Sequence, residues 1–337
     1  MSRQSLLSGL LGGILGLAAL AAVLLSVVLV ERDRLRALLF GTPTPGGVPL
    51  VTTSVPAPLP TAEAAACGGP AQMTLALLGL DGRRSNYDQP TRTDAISLVH
   101  INFVDQTAAV FSIPRDLYVP LPDLENVGIY QDRINTAYEY GEIWVSPGYG
   151  PTQFKNTIAL NFGIRVDRYL MINFESFVAA VDALGGIDIE VPQAIRDTYF
   201  PADEGFGTIV FEVEAGRQHM DGRTALRYAR TRHQDGDFAR VVRQQQVLLA
   251  IRDKLASPEV IPQLPALMNS LMKVVRTDLS PGELAALACL GPQIDREAIR
   301  LLAVDSTMTM PWRTPTGGSV DIPKREAIAP LVEEFLK

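Results

Sequence analysis

The chain is poor in cysteine, histidine and lysine, and each scarcity excludes something. Two cysteines in 337 residues rule out a disulfide-stapled scaffold and any multi-cysteine metal cluster. His100, His219 and His233 are scattered, and there is no HExxH, so a zinc site is not indicated. Walker A, GxGxxG and GxSxG signatures are absent as well. Positive charge is outnumbered, 30 basic against 37 acidic residues, for a net charge of -7. A protein that coats duplex nucleic acid is normally strongly basic, so nucleic acid is not expected as a partner. Of the 30 basic residues only 5 are lysine and 25 are arginine. Charged residues make up 20% and hydrophobic ones 47%, which excludes wholesale disorder and leaves material for a sizeable core.

Gln4 to Val30 is a stretch of 27 residues without a charge. At 1.5 Å per residue it makes ~40 Å of helix, enough to cross a ~30 Å hydrocarbon core with some tilt. A cleavable signal has a shorter apolar region, so residues 1–36 read as an uncleaved anchor with one transmembrane helix. Arg32, Arg34 and Arg36 outnumber Arg3, and the positive-inside rule taken alone would place the C-terminal flank in the cytoplasm. Residues 37–71 are rich in proline and threonine, with seven prolines between 41 and 70, and read as a semi-rigid linker. In polyproline II geometry, at ~3.1 Å per residue, its proline-rich part reaches roughly 90 Å. Residues 72–337 then form one domain.

Within that domain MTLALLGL (73–80), AISLVHINF (95–103) and AAVFSI (108–113) are β-rich runs, the last two joined as a hairpin across Asp105-Gln106. A helix follows Gly150-Pro151 and stops at Gly163. RYLMI (168–172) is a strand, Asn173 caps a helix over 174–184 that ends at Gly185-Gly186, and IDIEV (187–191) is again a strand. Helices are expected from Asp221 to about Thr231 and from about Phe238 to Ala256, with Asp237 as cap. The remainder alternates helical stretches with one strand, IRLLAV (299–304). This alternation indicates an α/β layered fold around a mixed sheet.

Two clusters carry chemistry. Asp81 follows the first strand, Arg92 and Asp94 precede the second, and Arg115 and Asp116 follow the third. If the first two strands are neighbours, Asp81 and Asp94 meet at one sheet edge beside Arg92 and Arg115. Two such carboxylates suit Mg²⁺, which takes one or two protein carboxylates plus phosphate oxygens, although turn residues or surface ion pairs give the same spacing. The second cluster is seven arginines between Arg217 and Arg243, with no lysine among them. Guanidinium forks fit phosphate oxygens bidentately, and Arg240 and Gln244 lie one turn apart near a helix start, which itself favours an anion. Arg230 and Arg232 can point into the same site. A solvated helix pair salt-bridged by Asp235 and Asp237 is the competing reading.

Six stretches in order resemble the LytR-CpsA-Psr (LCP) family of cell-wall glycopolymer ligases: LLGLDGR (78–84), TRTDAISLVHI (91–101), SIPRDLYV (112–119), RINTAYEYG (133–141), DRYLMINFESFVAAVDALGGIDIEVP (167–192) and MDGRTALRYARTRHQDGDFARVVRQQQVL (220–248). Ala95 and Ala239 depart from the usual pattern without removing a charge. The resemblance implies a three-layer α/β/α sandwich with a groove for a polyprenyl chain, preceded by a single-pass anchor in the cell membrane, with the catalytic domain outside the cytoplasm. That orientation overrides the charge count. The implied activity transfers a glycopolymer such as teichoic acid or capsule, with its phosphate, from an undecaprenyl-pyrophosphate carrier to peptidoglycan. By motif, Asp81 and Asp94 hold Mg²⁺ (or Mn²⁺). Arg92, Arg115, Arg230, Arg232 and Arg240 bind pyrophosphate with Gln244 beside them, and Asp237 orients the arginines or acts as base. A non-catalytic binder of lipid-linked phosphates and a lipid-pyrophosphate hydrolase are the alternatives. Cys289, in LAALACLG, reads as a buried free thiol, while an oxidising exterior would permit a Cys67–Cys289 bridge.

Overall fold

The structure, a computed structural model, describes residues 65–81, 90–203, 207–257, 260 and 275–337. The expected membrane span over 4–30, the linker up to residue 64 and the Gly82–Arg84 end of LLGLDGR lie outside these residues. Among the described residues no helix is long and apolar enough to cross a membrane.

The strands are β1 (Gln72–Leu80), β2 (Thr93–Asn102), β3 (Thr107–Ser112), β4 (Tyr118–Pro120), β5 (Gln131–Arg133), β6 (Arg168–Ile172), β7 (Ile187–Val191), β8 (Ile195–Pro201), β9 (Thr208–Val213), β10 (Gly216–Met220), β11 (Val275–Thr277), β12 (Ile299–Ala303), β13 (Thr309–Arg313) and β14 (Ser319–Pro323). The principal helices are α1 (Gly150–Phe162), α2 (Phe174–Ala183), α3 (Gly222–Arg230), α4 (Gly236–Leu255), α5 (Pro281–Leu290) and α6 (Arg325–Phe335). Six strands make the central sheet in the order β11-β6-β1-β2-β3-β12. It is mixed: β1 pairs antiparallel with β2 and parallel with β6, and β3 pairs antiparallel with β2 and parallel with β12.

The apolar run of β1 is continuous because both faces of the sheet are covered. Ala76, Leu78 and Leu80 point to a core shared with Phe154 and Ile158 of α1 and Ile328 and Phe335 of α6. Met73 and Leu75 point the other way, onto Ala286 and Leu290 of α5. The α/β/α layering follows from that alternation.

Several element ends behave as their residues require. Gly163 closes α1 at φ 68°, a left-handed position that costs glycine least. Asn173 and Asp221 cap α2 and α3 by accepting from the N–H of Ser176 and Thr224, at 2.8 and 2.7 Å. Asp237 does not cap α4. The helix begins at Gly236, and Asp237 sits inside its first turn with its carboxylate turned to arginines instead.

The segment after 259 holds four strands among the described residues, β11 to β14, where one was expected. The hairpin β8–β9 and strand β10 were likewise not anticipated. These are narrow ribbons, and β8 and β9 present one buried and one exposed face, so no continuous apolar run marks them. Residues 66–71, assigned to the linker by composition, already pack on the sheet: Ala66 N–H donates to Phe103 C=O, and Phe103 N–H to Ala71 C=O, both at 2.9 Å. Cys289 is not a free thiol. It is joined to Cys67 across 222 residues of sequence, with Cα atoms 5.8 Å apart.

Candidate active site

The residues of β1 that face away from α1 reach a second site from Leu77 onward, where Leu284 of α5 also lines the wall. They border a cavity of about 530 Å³ closed by α2, α3 and α4. Its walls are Leu77, Leu170 and Ile172 of the sheet, Phe177 and Val181 of α2, Leu226 and Ala229 of α3, and Val247, Leu248 and Ile251 of α4. Gly222 lets α3 approach α2: a Cβ there would lie 2.2 Å from the Val178 carbonyl oxygen. Gln245 fixes α4 on the sheet, donating to Ser112 Oγ at 3.1 Å and to Leu302 C=O at 2.9 Å.

One end of this apolar chamber is charged. Asp81, Asp94, Arg115, Arg230, Arg232, Arg240 and Gln244 all line the cavity, so the structure brings seven of the nine expected site residues to it. The β1–β2 register does the first part, pairing Leu80 with Thr93, while Asp81 N–H donates to Arg92 C=O at 2.9 Å. The turn after β3 brings in Arg115, whose Nη1 meets Asp94 Oδ2. Asp237 sits behind this wall. Arg240 Nη1 lies 2.9 Å from its Oδ1, with Arg115 Nε at 3.7 Å and Arg232 Nη1 at 3.8 Å. Arg230 is stacked between two rings, its Cζ 4.3 Å from the Phe174 centroid and 5.3 Å from that of Phe200.

Arg92 stands apart. Its side chain is 51% exposed and its Nε lies 3.4 Å from Glu139 Oε2, away from the cavity lining.

Burial governs the electrostatics of the inner pair. It pushes the Asp237 carboxyl up, against the pull of Arg240 and Arg115, and pushes the Arg240 guanidinium down despite Asp237. Burial opposes charge on Arg115 too, but Asp94, Asp116 and Asp237 outweigh it and hold that guanidinium above its ordinary value. The Nε atoms of Arg115 and Arg240 are buried and make no hydrogen bond among the described residues. Arg115 Nε instead lies 3.5 Å from Asp116 Oδ2 and 3.7 Å from Asp237 Oδ1 as an ion pair, and clustered guanidinium groups of this kind suit a polyanion.

Four contributors had no role in the sequence reading. Asn135, inside RINTAYEYG, donates from Nδ2 to Asp94 Oδ1 at 2.9 Å. Arg243 is 5% exposed and binds Asp235 at 2.6 and 2.9 Å and the Thr231 carbonyl, shaping the turn that presents Arg230 and Arg232. Asp197 and His233 form a pair beside the same turn. Asn135 and Asp197 find their partners 41 and 36 residues away, so local spacing carries no signal for them, whereas Asp235 lies only 8 residues from Arg243.

The oxygen donors at the mouth fit a hard cation. Asp81 and Asp94 reach it from adjacent strands, and Asn135 Oδ1 is buried beside Asp94 without a hydrogen-bond partner among the described residues. No group of three or more His, Cys, Asp or Glu side chains suited to a metal occurs among the described residues. The protein would supply part of a shell that phosphate and water complete, as Mg²⁺ commonly accepts.

The protein is thus a mixed α/β sheet carrying an apolar chamber that is also lined by arginines. The LytR_cpsA_psr family model matches residues 66–320, and the chain belongs to that family. A relative from Oceanobacillus iheyensis, named polyisoprenyl-teichoic acid–peptidoglycan teichoic acid transferase TagU, is 32% identical over 217 residues, which cover 64% of this chain and 61% of that protein. Regulatory protein MsrR of Staphylococcus aureus is 28% identical over 211 residues, 62% of this chain and 57% of that one. The match thus spans less than two thirds of either relative. Among solved structures, Bacillus subtilis TagV superposes with a TM-score of 0.63 at 24% identity, over 79% of this chain and 97% of that one. TagT bound to LIIa-WTA gives 0.58 at 23%, over 79% and 91%. These likenesses establish the shared mixed α/β fold.

Proposed function

We propose that this protein is a phosphotransferase that moves a glycopolymer, with its phosphate, from an undecaprenyl-pyrophosphate carrier to peptidoglycan. One observation carries the proposal: a single cavity offers an apolar chamber for a polyprenyl tail and, at its mouth, four arginines for a pyrophosphate. Relatives support the choice of chemistry, since TagU is named as a transferase of polyisoprenyl-linked teichoic acid to peptidoglycan. The apolar run at 4–30 would anchor the chain in the membrane with this domain outside the cytoplasm, where a Cys67–Cys289 bridge persists.

Phosphoryl transfer depends on in-line positioning and on neutralising charge spread over phosphate oxygens. Arg115 comes from the turn after β3 and Arg240 from α4, and both line the cavity that would take the phosphates. Arg230, held between Phe174 and Phe200, adds a third cation with little freedom to lose. Asp237 keeps Arg240, Arg115 and Arg232 converged. Mg²⁺ or Mn²⁺ bound by Asp81 and Asp94 would withdraw charge from the phosphate oxygens as a Lewis acid. The α2–α4 walls exclude water from the tail and hold the donor in register.

The test supplies the full chain with a lipid-pyrophosphate glycopolymer, peptidoglycan fragments and Mg²⁺. Glycopolymer joined to glycan through a phosphodiester is the expected product. Release of polymer with a free phosphate would make the protein a hydrolase, and unaltered donor that stays bound would make it a binder.

A further inference from the structure

Asp197 on β8 is 1% exposed and unused by the chemistry above. Its carboxylate accepts from Thr231 Oγ1 at 2.7 Å, from the Tyr199 N–H at 3.0 Å and from His233 Nδ1 at 3.0 Å. Burial alone would push this carboxyl up, but the hydrogen bonds from Thr231, His233 and Tyr199 hold it below the usual carboxylate range. An ionised carboxylate only accepts, so Nδ1 of His233 carries the proton and Nε2 keeps its lone pair. No described residue hydrogen-bonds Nε2. The His233 side chain is 38% exposed and lines the same cavity as Arg115, Arg232 and Arg240. A buried carboxylate, an imidazole fixed in one tautomer and an open lone pair at a phosphate-binding mouth form the arrangement of a base and its orienting group.

Two comparisons sharpen the choice. His219 also meets an aspartate, Asp188, at 2.8 Å, but that pair is exposed and lies outside the cavity. Asp237, the carboxylate first considered as base, has three guanidinium groups around it and does not line the cavity.

We propose that His233 takes the proton from the acceptor hydroxyl during transfer and that Asp197 is its positioning residue, an assignment that rests on the transferase reading above. The acceptor oxygen forms a bond to the phosphorus that carries the glycopolymer. The bond from that phosphorus to the bridging oxygen breaks, and polyprenyl monophosphate leaves with the electron pair. The acceptor proton passes to His233 Nε2 and then to solvent. Asp197 and Tyr199 from β8 face the ring, the Tyr199 centroid 6.4 Å away, and Arg230, Arg232, Arg240 and Gln244 line the same cavity.

The experiment uses the full-length protein in detergent with the lipid-pyrophosphate donor and peptidoglycan fragments, and follows the rate against pH. His233→Gln should lower kcat by about 10²-fold or more while leaving the donor KM within about threefold. Its rate should vary with pH differently from that of the wild type. His233→Gly should regain rate with added imidazole, which a merely structural histidine would not allow. Asp197→Asn should lower kcat in the same direction, and if it fails to fold the two His233 variants decide alone. A His233→Gln enzyme with wild-type rate and pH profile, alongside an inactive Arg115→Ala control, would overturn the base assignment and leave the transferase reading intact. A wild type that binds donor but transfers nothing would overturn both.

Discussion

Arg115 and Arg92 carry equal weight as motif residues and unequal weight in the folded chain. Arg115 is mostly buried among Asp94, Asp116 and Asp237, whereas Arg92 leans into solvent against Glu139. Arg115→Ala or Arg240→Ala should therefore reduce transfer by about 10²-fold or more with the fold intact, as loss of a preorganised charge-stabilising donor does. Arg92→Ala should cost less than about tenfold, since an exposed pair contributes little. Initial rates with circular dichroism as a fold control check both. The difference was not legible in the sequence, where both arginines flank strands. Asp81 and Asp94 were legible, because consecutive strands that pair antiparallel bring their ends together. Asn135 was not, because it reaches Asp94 from 41 residues away.

At the scale of elements, strong local signals held and weak ones failed. The α2 and α3 caps, the RYLMI strand and the Gly163 stop each rest on a residue with one favourable conformation or hydrogen bond, so they survived folding. The β8–β9 ribbon has only an alternating pattern, and its role, carrying Asp197 to the α3–α4 turn, depends on tertiary packing. The chamber itself is a property of element placement: α2, α3 and α4 meet beside the sheet and enclose it. A side chain that fills it without touching the mouth separates tail binding from phosphate binding. Ala229→Trp should raise the KM for a long-chain donor at least about tenfold and destabilise the fold by about 1–3 kcal/mol through overpacking. Its effect on a short, water-soluble pyrophosphate analogue should be small. Competition binding with the two ligands checks this.

Across the whole molecule, the net charge of -7 conceals a local concentration of arginine at one cavity mouth. Composition shows only an acidic chain, and the fold shows where the positive charge converges. The Cys67–Cys289 bridge joins the residues just before β1 to the end of α5, and so clips the start of the domain onto its outer layer. Closing so long a loop restricts the unfolded chain, and Cys289→Ser should lower stability by about 2–5 kcal/mol, read as a drop in thermal midpoint that reductant reproduces in the wild type. The decisive measurement is a structure of the full-length protein with a polyprenyl pyrophosphate. The tail should lie between α2 and α4 against the β1 face, with the phosphates on Arg115, Arg230 and Arg240. A phosphate group bound elsewhere, with the chamber free of the tail, would contradict the proposed function.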